Sequence, residues 1–193
     1  MASDHEVGGP NPSGSANKEY MKNWNTNLFY KIYNKRNKSF TSISWLISNN
    51  VFLILFCAVL VIWFLILKQD WSLTWKLITN LLLVLFSVKF IVDKVIKKIF
   101  YQPRPYISKD HINPIGKAEK NSTVPSGHST VVTAGVITLI AYNPWFLLLL
   151  PLIPLIMWSR VYNGMHWPID TILGVILGLA IADLSLIVIN LIF

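Results

Sequence analysis

From Trp45 to Leu67 the chain runs for more than twenty residues without a charged side chain. At about 1.5 Å of rise per residue, a helix of that length crosses the roughly 30 Å hydrocarbon core of a bilayer. Hydrocarbon offers no partner for a free backbone N–H or C=O, so a segment of this kind crosses as a helix that satisfies its own backbone. Four further apolar stretches follow the same logic. One runs from about Leu73 to Ile96, and one from Ser126 to Tyr142. The turn at Asn143 and Pro144 opens a third that ends near Tyr162, and the fourth starts after Pro168, a favoured first helical residue. The expected fold class is all-α: a polytopic membrane helical bundle of about five transmembrane helices, with no internal repeat.

Ahead of these spans, Trp24 to Thr41 mixes Leu28, Phe29, Ile32 and Tyr33 with Lys31, Lys35, Arg36 and Lys38. That pattern fits an amphipathic segment lying at the membrane interface. Met1 to Lys18 is rich in Gly, Ser, Pro and Asn and lacks the apolar core of a cleavable signal peptide. Residues 1–23 are therefore read as a disordered tail and 24–193 as one membrane domain. Lys and Arg outnumber Asp and Glu by 17 to 9. In a chain that is 53% hydrophobic, this balance points to an anionic membrane surface or an anionic substrate, with no nucleic acid partner. Cys57 is the only cysteine, which excludes an internal disulfide and a thiolate metal cluster.

Polar residues gather where the chain leaves and re-enters the apolar spans. The stretch from Lys97 to Pro125 holds four prolines and eight charged residues, and a loop of that length usually carries function. Counting crossings puts both ends of this loop, and both ends of "SRVYNGMHWP", on one membrane face. At the first exit, Lys97, Lys98 and Arg104 could clamp a phosphate, Arg by its planar fork and Lys as a point charge. They could equally be a basic cluster snorkelling at the membrane edge. Asp93 lies four residues from both Lys89 and Lys97, placed either to orient Lys97 or to neutralise Lys89. Ser126, Gly127 and His128 open a helix whose unpaired N–H groups make an anion seat, although the same residues serve as an ordinary serine cap. His166, just before Pro168, and Asp170, four residues later, suggest an imidazole held in one tautomer by a carboxylate, with Arg160 nearby.

Taken together, Lys97-x6-Arg104-Pro105, Pro125-Ser126-Gly127-His128 and Ser159-Arg160-x5-His166-x3-Asp170 resemble the three-part signature of the type 2 phosphatidic acid phosphatase superfamily, complete and in order. The resemblance implies a helical bundle and a metal-independent phosphohistidine mechanism with no cofactor. By the same carry-over, His166 attacks phosphorus, Asp170 orients it and His128 protonates the leaving oxygen. Lys97, Arg104, Ser126, Gly127 and Arg160 hold the phosphoryl oxygens. The implied partners are a lipid phosphate substrate and membrane lipids, with no obligatory protein partner.

Many members have six spans. The shorter plan here is similar to the small bacterial undecaprenyl pyrophosphate phosphatases of the bacitracin-resistance type. Those enzymes often carry Asp where Gly127 stands, so phosphatidylglycerophosphate, phosphatidate and lipid A remain open as substrates, and so does transfer of the phosphoryl group to a lipid acceptor. A transporter would spread ionisable residues through the bilayer midplane. Apart from Lys76, Asp183 and the charges from Lys89 to Lys94, they gather here at one face. The basic loops would place that face inside by the positive-inside tendency. The resemblance instead implies an inner-membrane enzyme with its site on the outer face.

Overall fold

A computed structural model of the protein describes residues 24–49, 62 and 71–193. The tail 1–23 and, from residue 50 on, the first predicted span apart from Ile62 lie outside the described residues. Among the described residues the structure is helical without strands. Helix α1 covers 24–33 and α2 Lys38–Ser48. Helix α3 spans Trp71–Ile99, α4 Gly127–Tyr142, α5 Pro144–Tyr162 and α6 Pro168–Ile192. Helices α3, α5 and α6 are long and apolar enough to cross a membrane, and α4 is a shorter apolar helix of 16 residues.

Three local features differ from the sequence reading. The interfacial segment expected as one piece is two helices, because the Asn37 side chain accepts from the Phe40 N–H at 2.9 Å and caps a new start. Helix α2 then continues through Trp45 to Ser48, so the first residues of the predicted span belong to the same helix as Lys38. In α3 the ladder widens to a π-helix over Lys89–Ile96 before returning to α-helix at Lys97–Ile99. Such widening is frequent near functional sites. Helix α5 opens with a 3-10 stretch, Pro144–Leu149, and becomes α-helical from Leu152. Pro151 at the junction has no N–H to contribute to a continuous ladder.

Helices α4 and α6 meet at unusually short range. A Cβ at Gly174 would lie 2.7 Å from the Ser126 carbonyl oxygen, and one at Gly178 would lie 2.7 Å from the Thr130 carbonyl oxygen and 2.8 Å from the Thr133 Cβ. Gly174 and Gly178, one turn apart, form a small-residue stripe on α6 that lets the two backbones touch. Helix α3 completes the bundle: Val84, Val88 and Val92 pack with Ala134, Ile181 and Ala182 in one buried cluster. Leu77 packs with Leu139 and Phe146 in another. The outward residues are apolar as well. Trp71, Trp75, Leu82 and Phe86 on α3, with Leu184, Ile187 and Leu191 on α6, are exposed, as expected of a bundle that meets lipid rather than water.

The α4–α6 contact yields a first expectation. Gly178→Val forces a methyl group into the Thr130 carbonyl and should cost about 1–3 kcal/mol, read as a lower Tm in detergent. An unchanged Tm would show that the two backbones do not meet at this spacing.

Candidate active site

The close packing of α4 on α6 brings the first turns of both helices together, and the Ser126 N–H donates to the Asp170 carbonyl at 3.0 Å. The segment between α5 and α6 is held from its other side by the N-terminal helices. Phe29 of α1, fully buried, packs on Trp167 with ring centroids 5.0 Å apart. Asn25 Oδ1 accepts from the Ile169 N–H at 3.0 Å. Arg36 lies with its guanidinium carbon 3.8 Å from the centroid of the Tyr33 ring and donates to the carbonyls of Tyr162 at 2.8 Å and Asn113 at 2.6 Å. Burial holds the Arg36 guanidinium below its ordinary pKa, while Tyr33 and Tyr162 oppose the shift. The amphipathic segment therefore braces the loop that carries His166.

His166 is 2% exposed. Its Nε2 lies 3.4 Å from Arg104 Nη1, and its Nδ1 lies 3.1 Å from Thr123 Oγ1. A guanidinium can only donate, so Nε2 accepts and carries the lone pair. Nδ1–H then donates to the Thr123 hydroxyl, which in turn donates to Asp170 Oδ2 at 2.5 Å. Asp170 Oδ2 also accepts from the Trp167 N–H at 2.8 Å. The direct distance from His166 Nδ1 to Asp170 Oδ2 is 3.8 Å, so the orientation expected from the carboxylate passes through the Thr123 hydroxyl. Burial, reinforced by the neighbouring Arg160 and Arg104, pushes the His166 imidazole well below its ordinary pKa. The ring is neutral at physiological pH, with its Nε2 lone pair held by the long Arg104 contact.

A cavity of about 440 Å³ has His166 in its wall. Its polar wall includes Lys97, Arg104, Gly127, His128, Arg160 and His166, and its apolar wall includes Leu85, Val88, Val92 and Val131 from α3 and α4. Lys97 is held through Asp93, which accepts from Lys97 at 3.0 Å and pairs with Lys89 at 2.9 Å. Asp93 thus fills both roles left open by the sequence. A Cβ on Gly127 would lie 3.9 Å from Lys97 Nζ, which places the ammonium at the start of α4. Arg104 is fully buried and Arg160 is 5% exposed. Arg160 lines the cavity, and its buried Nε has no hydrogen-bond partner among the described residues.

Two of the expected site residues stand behind the cavity wall. Asp170 acts through Thr123. Ser126, fully buried, accepts from Ser129 N at 3.5 Å and from Ser129 Oγ at 3.1 Å. Its hydroxyl caps α4, and the Gly127 backbone faces the cavity instead. Thr123, Glu119 and Asn121 were not singled out by sequence. Glu119 Oε2 and Asn121 Oδ1 each accept from Arg104 Nη2 at 2.6 Å. Among the described residues no group of three or more His, Cys, Asp or Glu side chains is placed to hold a metal ion.

The chain that carries this arrangement, a buried imidazole beside a cation-lined cavity at the joined ends of apolar helices, matches a known family in sequence. Residues 74–192 match the PAP2 superfamily, and the chain belongs to it. An undecaprenyl-diphosphatase of Sulfolobus acidocaldarius is 36% identical over 103 residues, covering 51% of this chain and 48% of that protein. The chain thus spans about half the length of that relative. YbjG of Escherichia coli K12, named a putative undecaprenyl-diphosphatase, is 28% identical over 162 residues, covering 82% of this chain and 79% of that protein. Among solved structures, LpxE of Aquifex aeolicus superposes with a TM-score of 0.62 at 23% identity, covering 84% of this chain and 94% of that one. A transmembrane PAP2-type phosphatidylglycerolphosphate phosphatase of Bacillus subtilis gives a TM-score of 0.65 at 18% identity, covering 86% and 84%. These two establish the shared fold, that of a membrane protein.

The hydroxyl bridge can be tested. Thr123→Val keeps the shape and removes the relay between Nδ1 and Asp170. We expect kcat to fall by roughly ten- to a hundredfold with KM little changed. A fall confined to KM would show that Thr123 serves substrate binding instead.

Proposed function

We propose that the protein is a membrane lipid phosphatase that converts undecaprenyl pyrophosphate to undecaprenyl phosphate through a phosphohistidine at His166. The observation that carries this reading is the cavity itself. It joins the His166 Nε2 lone pair and the cations Lys97, Arg104 and Arg160 to an apolar wall on α3 and α4. A substrate with an anionic head and a hydrocarbon tail suits both halves, with the tail leaving laterally into the bilayer. The names of the two sequence relatives support the polyprenyl diphosphate as substrate.

In the first step Nε2 attacks the terminal phosphorus, the bond from phosphorus to the bridging oxygen breaks, and His128 gives that oxygen its proton. Undecaprenyl phosphate departs. Water then attacks the phosphohistidine, His128 takes the proton back, and inorganic phosphate leaves with the imidazole restored. Asp170, through Thr123, stabilises the positive charge that His166 gains while it carries the phosphoryl group. The cations and the Gly127 N–H stabilise negative charge building on the phosphoryl oxygens. Lys97 and Arg160 supply this without a metal ion. In this reading the enzyme sits in the inner membrane with its site on the outer face. Reporter fusions after Lys68 and at Phe193 should then both read as cytoplasmic, and an external reading at either would reverse the orientation.

Phosphate release by the detergent-solubilised protein in EDTA tests the chemistry. Undecaprenyl pyrophosphate should be turned over faster than phosphatidate or phosphatidylglycerophosphate. His166→Ala should lose turnover entirely, and His128→Ala should lose about 10²- to 10⁴-fold. Retention of most activity by His166→Ala would reject the nucleophile assignment, and activity that needs added metal would reject the mechanism. A preference for a phosphatidyl substrate would reject the polyprenyl assignment alone.

A further inference from the structure

The Arg104 guanidinium has five N–H donors, and the structure gives every one an acceptor within the protein. Nε donates to the Asn121 carbonyl at 3.3 Å. Nη1 donates to the Met165 carbonyl at 3.1 Å and to His166 Nε2 at 3.4 Å. Nη2 donates to Glu119 Oε2 and Asn121 Oδ1, both at 2.6 Å. An arginine so saturated has nothing left for a phosphoryl oxygen, so one of these contacts has to yield when an oxyanion arrives. Backbone carbonyls cannot leave without moving the chain, and the Nη1 hydrogen freed when His166 Nε2 turns to phosphorus serves one oxygen only, so a second oxygen draws on Nη2, held by Asn121 and Glu119. Glu119 is the only charged acceptor of the set, and its side chain is 42% exposed, whereas that of Arg104 is 1% exposed.

The backbone at Glu119 is pinned, and its side chain, held by Arg104 alone among the described residues, is 42% exposed. Tyr106 Oη donates to the Glu119 carbonyl at 2.5 Å and accepts from its N–H at 2.8 Å. Tyr106 lies in the single helical turn Pro105–Ser108 that directly follows Arg104. The same turn thus positions the arginine and, across the loop, the carboxylate that meets it. From this pinned base the carboxylate can rotate into water without moving the loop. Like charges cannot share one donor at this range without a penalty, so Glu119 and a phosphoryl group exclude each other from Nη2.

We propose that Glu119 is a built-in anion that occupies, in the free protein, the Arg104 donor a substrate phosphoryl oxygen takes, and that it sets the affinity of the site for oxyanions. This rests on the phosphatase reading. Its use would be kinetic: an unopposed set of buried cations would hold inorganic phosphate after turnover, and a returning carboxylate displaces it. Glu119 acts here by tuning Arg104 and takes no part in bond making.

The test is binding of inorganic phosphate and of tungstate to the full, detergent-solubilised chain, by calorimetry, for wild type, Glu119→Gln and Glu119→Asp. Gln keeps the reach and an acceptor oxygen but no charge, and Asp keeps the charge but falls short of Nη2. Both variants should bind more tightly, Gln by roughly three- to tenfold. In the Arg104→Ala background the difference between Glu and Gln at 119 should vanish, a coupling that a general effect on folding would not produce. Unchanged or weaker binding by both variants would overturn the inference and make Glu119 a support for Arg104. Absence of oxyanion binding by all the proteins, wild type included, would overturn the phosphatase reading and this inference with it.

Discussion

Everything at the site depends on how closely α4 can lie on α6. Where most helix pairs are separated by their side chains, Gly174 and Gly178 leave only hydrogen on that face, and the Ser126 and Thr130 carbonyls occupy the space a Cβ would need. Van der Waals packing of this kind is what holds helices together in a bilayer, where no hydrophobic force drives them to associate. The contact fixes the first turn of α4 against the first turn of α6, so Gly127 and His128 face His166 across about forty residues of sequence. Wider helices would separate the two imidazoles and leave neither the anion seat nor the nucleophile with a partner.

Against this frame the site solves a difficult electrostatic problem, because buried charge is expensive unless it is paired. Lys97 leans on Asp93 and Arg104 on Glu119, while Arg160 keeps Nε without a partner among the described residues. Two of the three cations are thus paired with carboxylates. Their combined field falls on His166, which stays neutral because protonation would add a further positive charge to a buried cluster. A neutral imidazole with its lone pair turned to the cations is what attack on phosphorus requires. In the proposed reaction the environment that suppresses protonation is also the one that would receive the phosphate.

Most of the bundle can be read from the chain. The apolar stretches, the proline starts and the Asn143 turn locate α3 to α6 to within a few residues, because the bilayer leaves the backbone no other solution. Fixed spacings pick out Lys97, Arg104, Gly127, His128, Arg160 and His166, all of which line the cavity. Thr123, Glu119 and Asn121 escape such reading because they sit in a loop with no periodicity. That loop is shaped by distant contacts: Thr123 N–H to the Gln102 carbonyl, Gln102 N–H to Ser122, and Tyr106 to Glu119. Ser126 was legible as a residue of the motif but not in its direction, since the choice between capping and ligand binding is made by Ser129 beside it. The pair Gly174 and Gly178 shows in the sequence only as a spacing of four, which does not say which helix it meets.

Asp170 holds two appointments at once. Its Oδ2 caps the start of α6 through the Trp167 N–H and anchors the Thr123 hydroxyl behind the His166 ring. The end of a helix is ordinarily where it frays first. Here that first turn is buried against α4 and tied by Asp170, so the contact that secures the helix end is also the one that steadies the His166 ring.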